Sequence, residues 1–473
     1  MPGVSTEDTV ATPEAPPAAP GAGRSTGSRL RSRAFWVISD QAISSLANAG
    51  LTIVLARTVS PGEYGAFALA FSVYSLVVSV AQAVSGQVVV IRYSGEDPRT
   101  LGRAGAAAGG AAVLVGALCA AVACGVALFA GTPLREVLLV VGLLLPALVL
   151  QDTWRVLFTA RGTPRQAFTN DLLWILLQAA GIAVLLAVDV SRSWPYVAVW
   201  AGAALSAALW GIRQAGSVPT FRTAPAWFRG HREVSLPSLA NALAILGTTQ
   251  IAFVLIAALG AVEDVGALRA AQTLLGPLNI VGFAASSFAV PEIVRRDLGR
   301  AGLVRAAVAL SAVLVVVDAA WGAVLLLLPD SVGTALLGET WTNARSALPA
   351  MIAFTCLIGA TVGASAVMRA LNRADSAFYV SAVLGPLVLV LSVLGVELGG
   401  AAGAAAGFAL AAALVVPPAW YLLARATRLG RREVPAEPGL LADDTDTDTG
   451  TDGTGDDRVD RTGEPAAGRG GPG

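Results

Sequence analysis

Ser45-Leu46-Ala47-Asn48-Ala49 recurs as Ser238-Leu239-Ala240-Asn241-Ala242, 193 residues further on. Each copy lies inside a long apolar run. Two further pairs follow in the same order: Glu63-Tyr64-Gly65-Ala66-Phe67 parallels Asp264-Val265-Gly266-Ala267-Leu268, and Ala167-Phe168 parallels Ala377-Phe378. Their offsets, 201 and 210, differ by what small insertions add to a duplicated chain. Alanine-rich matches of five residues arise by chance; three in order point to a duplication.

Composition says what was duplicated. The 473 residues are 55% hydrophobic and only 14% charged, with a mean hydropathy of +0.68. Soluble domains carry about 25% charged residues, so this is a polytopic membrane protein. Twelve apolar segments, at roughly 35–56, 65–91, 104–130, 137–158, 170–188, 195–212, 235–259, 265–291, 303–328, 346–368, 376–396 and 399–424, each approach the length of about 20 residues that spans hydrocarbon. Lipid offers backbone groups no partners, so each segment must be a helix.

Arginine placement tests the count, all 32 basic residues being arginine. With alternate connections assigned to the cytoplasm from the N-terminus onward, 24 arginines fall on that side and four (Arg57, Arg135, Arg192, Arg345) on the other. A missed helix would scramble this bias, so the positive-inside rule supports count and orientation together. The expected fold is all-α: about twelve transmembrane helices in two six-helix lobes related by a parallel internal repeat. The lobes are 35–212 and 235–425, joined by the basic connection 213–234, whose Trp227-Phe228-Arg229 and Arg232 suit the inner leaflet. Parallel repeats of this kind build transporters with a central cavity. Both termini are expected in the cytoplasm, with residues 1–33 and 433–473 disordered. The first apolar run is too long for a cleavable signal.

Chemistry is scarce. Cys119, Cys124 and Cys356 lie in apolar runs without metal-ligand or disulfide spacing. His231 is the only histidine. An enzyme is therefore not expected, nor a cofactor, a metal site or a nucleic-acid partner. The acidic run Asp443-Asp444-Thr445-Asp446-Thr447-Asp448 lacks the glycine and terminal glutamate of a calcium loop and reads as a solvated tail.

Polar groups at membrane depth mark pathways by default. Asp40, beside Gln41 in the first segment, is the candidate ion-coupling or gating site; pairing with Arg33 at the interface is the alternative. Arg269 stands about five residues into segment eight, where the first repeat has Ala68. It, Arg57 and Arg92 are candidates for a diphosphate; snorkelling, anchoring and the positive-inside bias are the respective alternatives. Gln41, Asn48, Gln82, Gln87, Asn241, Gln250, Gln272 and Asn279 are candidate cavity-lining groups, each also capable of a plain interhelical hydrogen bond. Asp152 and Asp171 are expected to pair with Arg155, Arg161 or Arg165, and Asp318 also falls within a segment. Gly276-Pro277 is a candidate hinge.

The run Asp40-Gln41-Ala42-Ile43-Ser44-Ser45-Leu46-Ala47-Asn48, followed by Ala56-Arg57-Thr58-Val59-Ser60-Pro61-Gly62-Glu63-Tyr64-Gly65, resembles the entry of Wzx-type polysaccharide flippases. These belong to the multidrug/oligosaccharidyl-lipid/polysaccharide exporter superfamily. Gly266-Ala267-Leu268-Arg269-Ala270-Ala271-Gln272, through Pro277 to Pro291, resembles its eighth helix, and Leu337-Gly338-Glu339-Thr340-Trp341 is similar to its outer loop. The resemblance spans roughly 35–425. It implies a plasma-membrane flippase that turns an undecaprenyl-diphosphate-linked oligosaccharide to the outer leaflet, driven by an ion gradient, beside glycan-assembly enzymes. Gln272 stands where the lipid II branch has an arginine, which disfavours peptidoglycan precursors. A multidrug exporter of the same superfamily, a major-facilitator transporter and a non-transporting membrane component of glycan assembly remain alternatives. Arg92-Tyr93-Ser94-Gly95-Glu96-Asp97-Pro98-Arg99 matches the major-facilitator signature poorly.

Overall fold

A computed structural model describes residues 43–430, together with Trp36 and Ser39 and without Asp297. Asp40, Gln41, the segment 1–33 and the tail 433–473 lie outside the described residues. The protein is all-helical there: α1 covers 43–58, α2 Pro61–Tyr93, α3 Pro98–Ala127, α4 Leu134–Ala160, α5 Pro164–Ala187 and α6 Ser193–Ala215. A short α7, Ala224–Gly230, lies in the connection. Then come α8 (232–259), α9 (Val262–Leu274), α10 (Gly276–Arg295), α11 (Arg300–Leu326), α12 (Asp330–Leu337) and α13 (Thr340–Ala370), and a hairpin of α14 (374–398) and α15 (401–429) about Gly399-Gly400. Among the described residues eight helices are long and apolar enough to cross a membrane, the α14–α15 run counted as one. This is a multi-pass membrane protein.

Local sequence sets the helix ends. Ser60 and Asp97 cap α2 and α3 through their side-chain oxygens, each followed by proline at the first helical position. The hairpin closes because glycines leave room for backbone: a Cβ on Gly395 would lie 2.1 Å from the Gly403 carbonyl oxygen, and one on Gly407 2.2 Å from that of Leu391.

Two helices carry single π-turns, Gln82–Gly86 in α2 and Leu243–Gly247 in α8. A third is broken at Leu275, between α9 and α10. Such irregularities free carbonyls, and indole N–H groups take two of them. Trp227 Nε1 donates to Val84 O (3.0 Å) and Trp321 Nε1 to Leu274 O (2.9 Å).

Matching geometry recurs along the chain. Gly162 and Asn372, 210 residues apart, both adopt positive φ, 70° and 57°. The residues after them, Thr163 and Arg373, share φ −113° and donate backbone N–H bonds of 2.9 Å to Phe158 O and Met368 O respectively. Beside these turns Arg161 donates to Ala215 O (2.9 Å) and Arg373 to Gly430 O (3.1 Å), each a carbonyl at the C-terminal end of α6 or α15, where a cation complements the helix dipole. At the opposite, arginine-poor end, the Glu63 carboxylate accepts from the Ser193 N–H at the start of α6 (2.9 Å). The Asp264 carboxylate likewise accepts from the Ala401 N–H at the start of α15 (2.7 Å).

The core is arranged unevenly. One large apolar cluster draws on both the helices before the connection (the first set, α1–α6) and those after it (the second set, α8–α15) toward the arginine-poor end, joining Leu55, Tyr64, Phe67 and Trp200 to Val265, Leu268, Trp341 and Phe408. Toward the arginine-rich end are two separate clusters. One belongs to the first set and the connection (Val88, Leu101, Trp154, Phe158, Trp227), the other to the second set (Ile293, Leu303, Met368, Leu423). The sets meet closely at the arginine-poor seam: a Cβ on Gly65 would lie 2.2 Å from Val262 O, one on Gly266 3.1 Å from Gly65 Cα, and one on Gly338 2.9 Å from Ala56 O.

Candidate functional site

Arg269 sits in that seam. It lies on α9, about 10 Å in from Val262 at 1.5 Å per residue, and its guanidinium carbon is 4.3 Å from the centroid of the Phe71 ring on α2. A guanidinium over an aromatic face is held by the ring quadrupole, an attraction of about 0.5–2 kcal/mol. Among the described residues no carboxylate pairs with it. Tyr64 on α2 is fully buried, with Thr273 and Arg269 of α9 close to its hydroxyl. The site thus offers a cation held by an aromatic ring, with its fork of donors uncommitted to an anion.

A second polar cluster lies within the first set. Gln151, Asp152, Asn170 and Asp171 are all buried. Asp171 accepts from Ser44 Oγ on α1 (2.9 Å) and from Gln151 Nε2 on α4 (2.7 Å), and Arg155 approaches it at 3.7 Å. Asp152 accepts from Gln82 Nε2 in the α2 π-turn (2.8 Å). Asn170 Nδ2 donates to Ala207 O and to Gln214 Oε1, each at 2.9 Å. Two carboxylates thus face one close guanidinium and a shell of amides and hydroxyls spread over five helices. Of the three arginines expected to pair here only Arg155 has an ion pair to Asp171; Arg161 serves the Ala215 carbonyl instead.

The other sequence candidates scatter. Arg57, exposed, ends α1 at the arginine-poor end, where its carbonyl lies against Gly338. Arg92 is exposed at the opposite end, 4.0 Å from Glu233. Arg57, Arg92 and Arg269 therefore do not form one site: the first two are separated by the length of α2. Asn48, Gln87 and Asn241 are exposed, Gln272 is half-buried, and the Gln250 side-chain carbonyl oxygen is buried without a partner among the described residues. Asn279, exposed, lines a cavity within the second set. Gly276 and Pro277 do mark a helix break, with Pro277 in the first turn of α10. The sequence reading missed Ser44, Tyr64, Phe71, Gln151 and Asn170. The polar doublets Gln151-Asp152 and Asn170-Asp171, each inside an apolar run, were the signal for two of them.

The fold is shared with solved membrane transporters. No protein-family model matches the sequence, and no curated protein sequence matches it. Solved structures do. A structure of the lipid II flippase MurJ in an inward closed conformation superposes with a TM-score of 0.64 at 12% identity, covering 81% of this chain and 87% of that one. An inward-facing multidrug resistance MATE family transporter of the MOP superfamily gives 0.61 at 13% identity over 81% and 96% of the two chains. An outward-facing conformer of such a transporter gives 0.51 at 12% identity over 85% and 96%.

Proposed function

We propose that this chain is a flippase of the Wzx type. It carries an undecaprenyl-diphosphate-linked oligosaccharide or polysaccharide precursor from the inner to the outer leaflet of the plasma membrane, driven by an ion gradient. In this reading twelve helices form two six-helix lobes, 35–212 and 235–425, joined by 213–234, with both termini cytoplasmic. The recurring turn at Gly162 and Asn372 and the paired ties Glu63–Ser193 and Asp264–Ala401 support the duplication behind the lobes. The observation that carries the function is Arg269, a guanidinium at membrane depth on the seam between the halves, with no carboxylate to answer it among the described residues. A lipid diphosphate needs a cation there, and a planar fork suits phosphate oxygens. Arg92, at the end of α2, and Arg57, at the end of α1 that leads into it, serve entry and exit rather than a single clamp. Asp40 is the coupling group of the first half, and glycan-assembly enzymes supply the cargo. Gln272 favours a glycan other than the peptidoglycan precursor. The fold shared with MATE family transporters supports a second reading, export of small drugs.

The test is the amount of lipid-linked glycan reaching the outer leaflet per folded molecule. Arg269→Ala is expected to lower it at least about tenfold, the scale of losing hydrogen bonds to a charged group, and Arg269→Lys less. Asp40→Asn should also impair it. Wild-type flux in both Asp40→Asn and Arg269→Ala rejects the assignment, and transport of small drugs without glycan flux supports the second reading.

A further inference from the structure

Between Asp189 and Glu233 the chain has no carboxylate, yet it carries Arg192, Arg213, Arg222, Arg229 and Arg232. The last four belong to the connection 213–234, and all four are exposed. Glu233, which follows them, faces Arg92 at 4.0 Å. Arg222, Arg229 and Arg232 make no ion pair among the described residues. Exposed beside them are two apolar side chains, Val218 (67%) and Phe221 (58%). On α7 the two faces differ: Ala224 and Trp227 are buried, whereas Ala226 and Arg229, on the opposite side of the helix, are exposed.

The buried side of the connection is fastened to the first set. The Thr220 N–H donates to Ala106 O on α3 (2.9 Å). Gly110 leaves room for this crossing, since a Cβ there would lie 2.2 Å from Thr220 O. Trp227 donates to Val84 O in the π-turn of α2 (3.0 Å) and stacks on Tyr93 at 5.8 Å. His231 joins the two: its Nε2 lies 2.9 Å from the Tyr93 hydroxyl and its Nδ1 2.9 Å from Trp227 O. Depth follows from helix lengths. The 30 residues of α3 extend about 45 Å, against about 30 Å of hydrocarbon. Ala106 is about 12 Å from the start of α3 at Pro98, and Val84 about 14 Å from the end of α2 at Tyr93. The connection therefore crosses the helices near the edge of the hydrocarbon, where headgroups begin.

A guanidinium pairs with phosphate oxygens through two parallel hydrogen bonds. An amphipathic segment at this depth binds through its apolar side chains together with the attraction of its basic residues to anionic lipid. A zwitterionic headgroup carries its own cation beside the phosphate and gains less from the arginines. The acidic run Asp443 to Asp448 answers the charge as well, but it has no apolar side chain to cover Val218 and Phe221.

We propose that the exposed face of the connection docks on anionic phospholipids in the leaflet at the arginine-rich end, and that the bound headgroups hold α7 against the π-turn of α2. This goes beyond the flippase reading and does not depend on the cargo.

The experiment uses the full chain with Cys119, Cys124 and Cys356 replaced by alanine and an environment-sensitive dye on Ala226→Cys, in nanodiscs of phosphatidylglycerol and phosphatidylcholine. Brominated acyl chains, placed on one lipid or the other at equal mole fraction, quench the dye according to the local share of that lipid. Brominated phosphatidylglycerol is expected to quench more than brominated phosphatidylcholine, and salt should reduce the excess. Arg222→Gln, Arg229→Gln and Arg232→Gln should each lower the preference by up to about fivefold, the scale for one basic residue at an anionic surface, and together should abolish it. Phe221→Ser should weaken quenching by both lipids. Hydrogen exchange across residues 84–93 should slow with phosphatidylglycerol in the wild type and not in the triple variant. Equal quenching by the two lipids, or an excess that survives the triple variant, overturns the docking surface, and exchange in 84–93 that ignores phosphatidylglycerol overturns the hold on α2. A preference that appears only after removal of residues 433–473 makes the acidic tail the occupant and overturns the lipid. Glycan flux does not enter the readout, so failure here leaves the flippase reading as it stands.

Discussion

At Ser193 and Ala401 a helix begins beneath a carboxylate supplied from more than a hundred residues away. The first N–H groups of a helix have no partner within it, and Ser193 is fully buried, so water does not supply one. Glu63 fills that need for α6 and Asp264 for α15. Glu63→Ala would strand both the N–H and the hydroxyl of Ser193, which Glu63 also binds. Leaving such groups unsatisfied costs about 1–3 kcal/mol. Glu63→Gln keeps an acceptor and gives up only the charge at the helix end, worth about 0.3–1 kcal/mol. The thermal unfolding midpoint in detergent should therefore fall in the order wild type, Gln, Ala. Equal loss in Gln and Ala would mean that the charge, through Arg192 at 4.0 Å, matters more than the hydrogen bonds. At this scale the sequence was half legible. Glu63 and Asp264 were visible as repeat partners, but their common task was not, because Ser193 and Ala401 belong to no matching motif.

The helices themselves were the most legible part of the molecule, since apolar runs bounded by arginine, proline and glycine leave little choice of structure in lipid. Their irregularities were less so. Gly276-Pro277 announced the break after α9, yet nothing local announced the π-turns at Gln82–Gly86 and Leu243–Gly247. The indole that takes the carbonyl freed in the first of these comes from Trp227, 143 residues along the chain. A local reading of periodicity does not see such a partner. Close helix crossings are similarly non-local. In the α14–α15 hairpin Gly403 faces the Gly395 carbonyl oxygen, where a Cβ would come within 2.0 Å. Gly403→Val should cost about 1–3 kcal/mol or more through overpacking. Gly202→Ala on α6, where nothing lies within 4 Å of the new methyl, should instead be neutral or gain up to about 1 kcal/mol from helix propensity. Melting curves of the two variants decide this, and a neutral Gly403→Val would show that the hairpin is not closed by backbone contact.

For the molecule as a whole, the division of the core determines what can move. The two sets of helices share apolar packing at the arginine-poor end and keep separate clusters at the other. Both carboxylate ties stay within one set, whereas the seam itself is made of glycines against backbone and of Arg269 on Phe71. Opening the seam breaks no ion pair recorded there among the described residues. Gly62 and Glu263 face each other across it, with a Cβ on Gly62 3.0 Å from Glu263 Oε1. Cysteines at both positions, in a chain whose Cys119, Cys124 and Cys356 are replaced by alanine, should cross-link on oxidation and, in the flippase reading, abolish glycan flux, which reduction should restore. Full flux by the cross-linked protein would mean that the seam need not part.

The split core has a mechanical corollary. A body joined at one end and divided at the other occupies unequal areas in the two leaflets, and exchanging the joined and divided ends transfers area from one leaflet to the other. That work is done against the lateral pressure of the acyl chains and headgroups. In the flippase reading, where the two ends exchange, lipids of conical shape or a curved bilayer therefore tilt the balance between the two states without touching any residue, and the composition of the surrounding membrane becomes part of the energetics of each turnover.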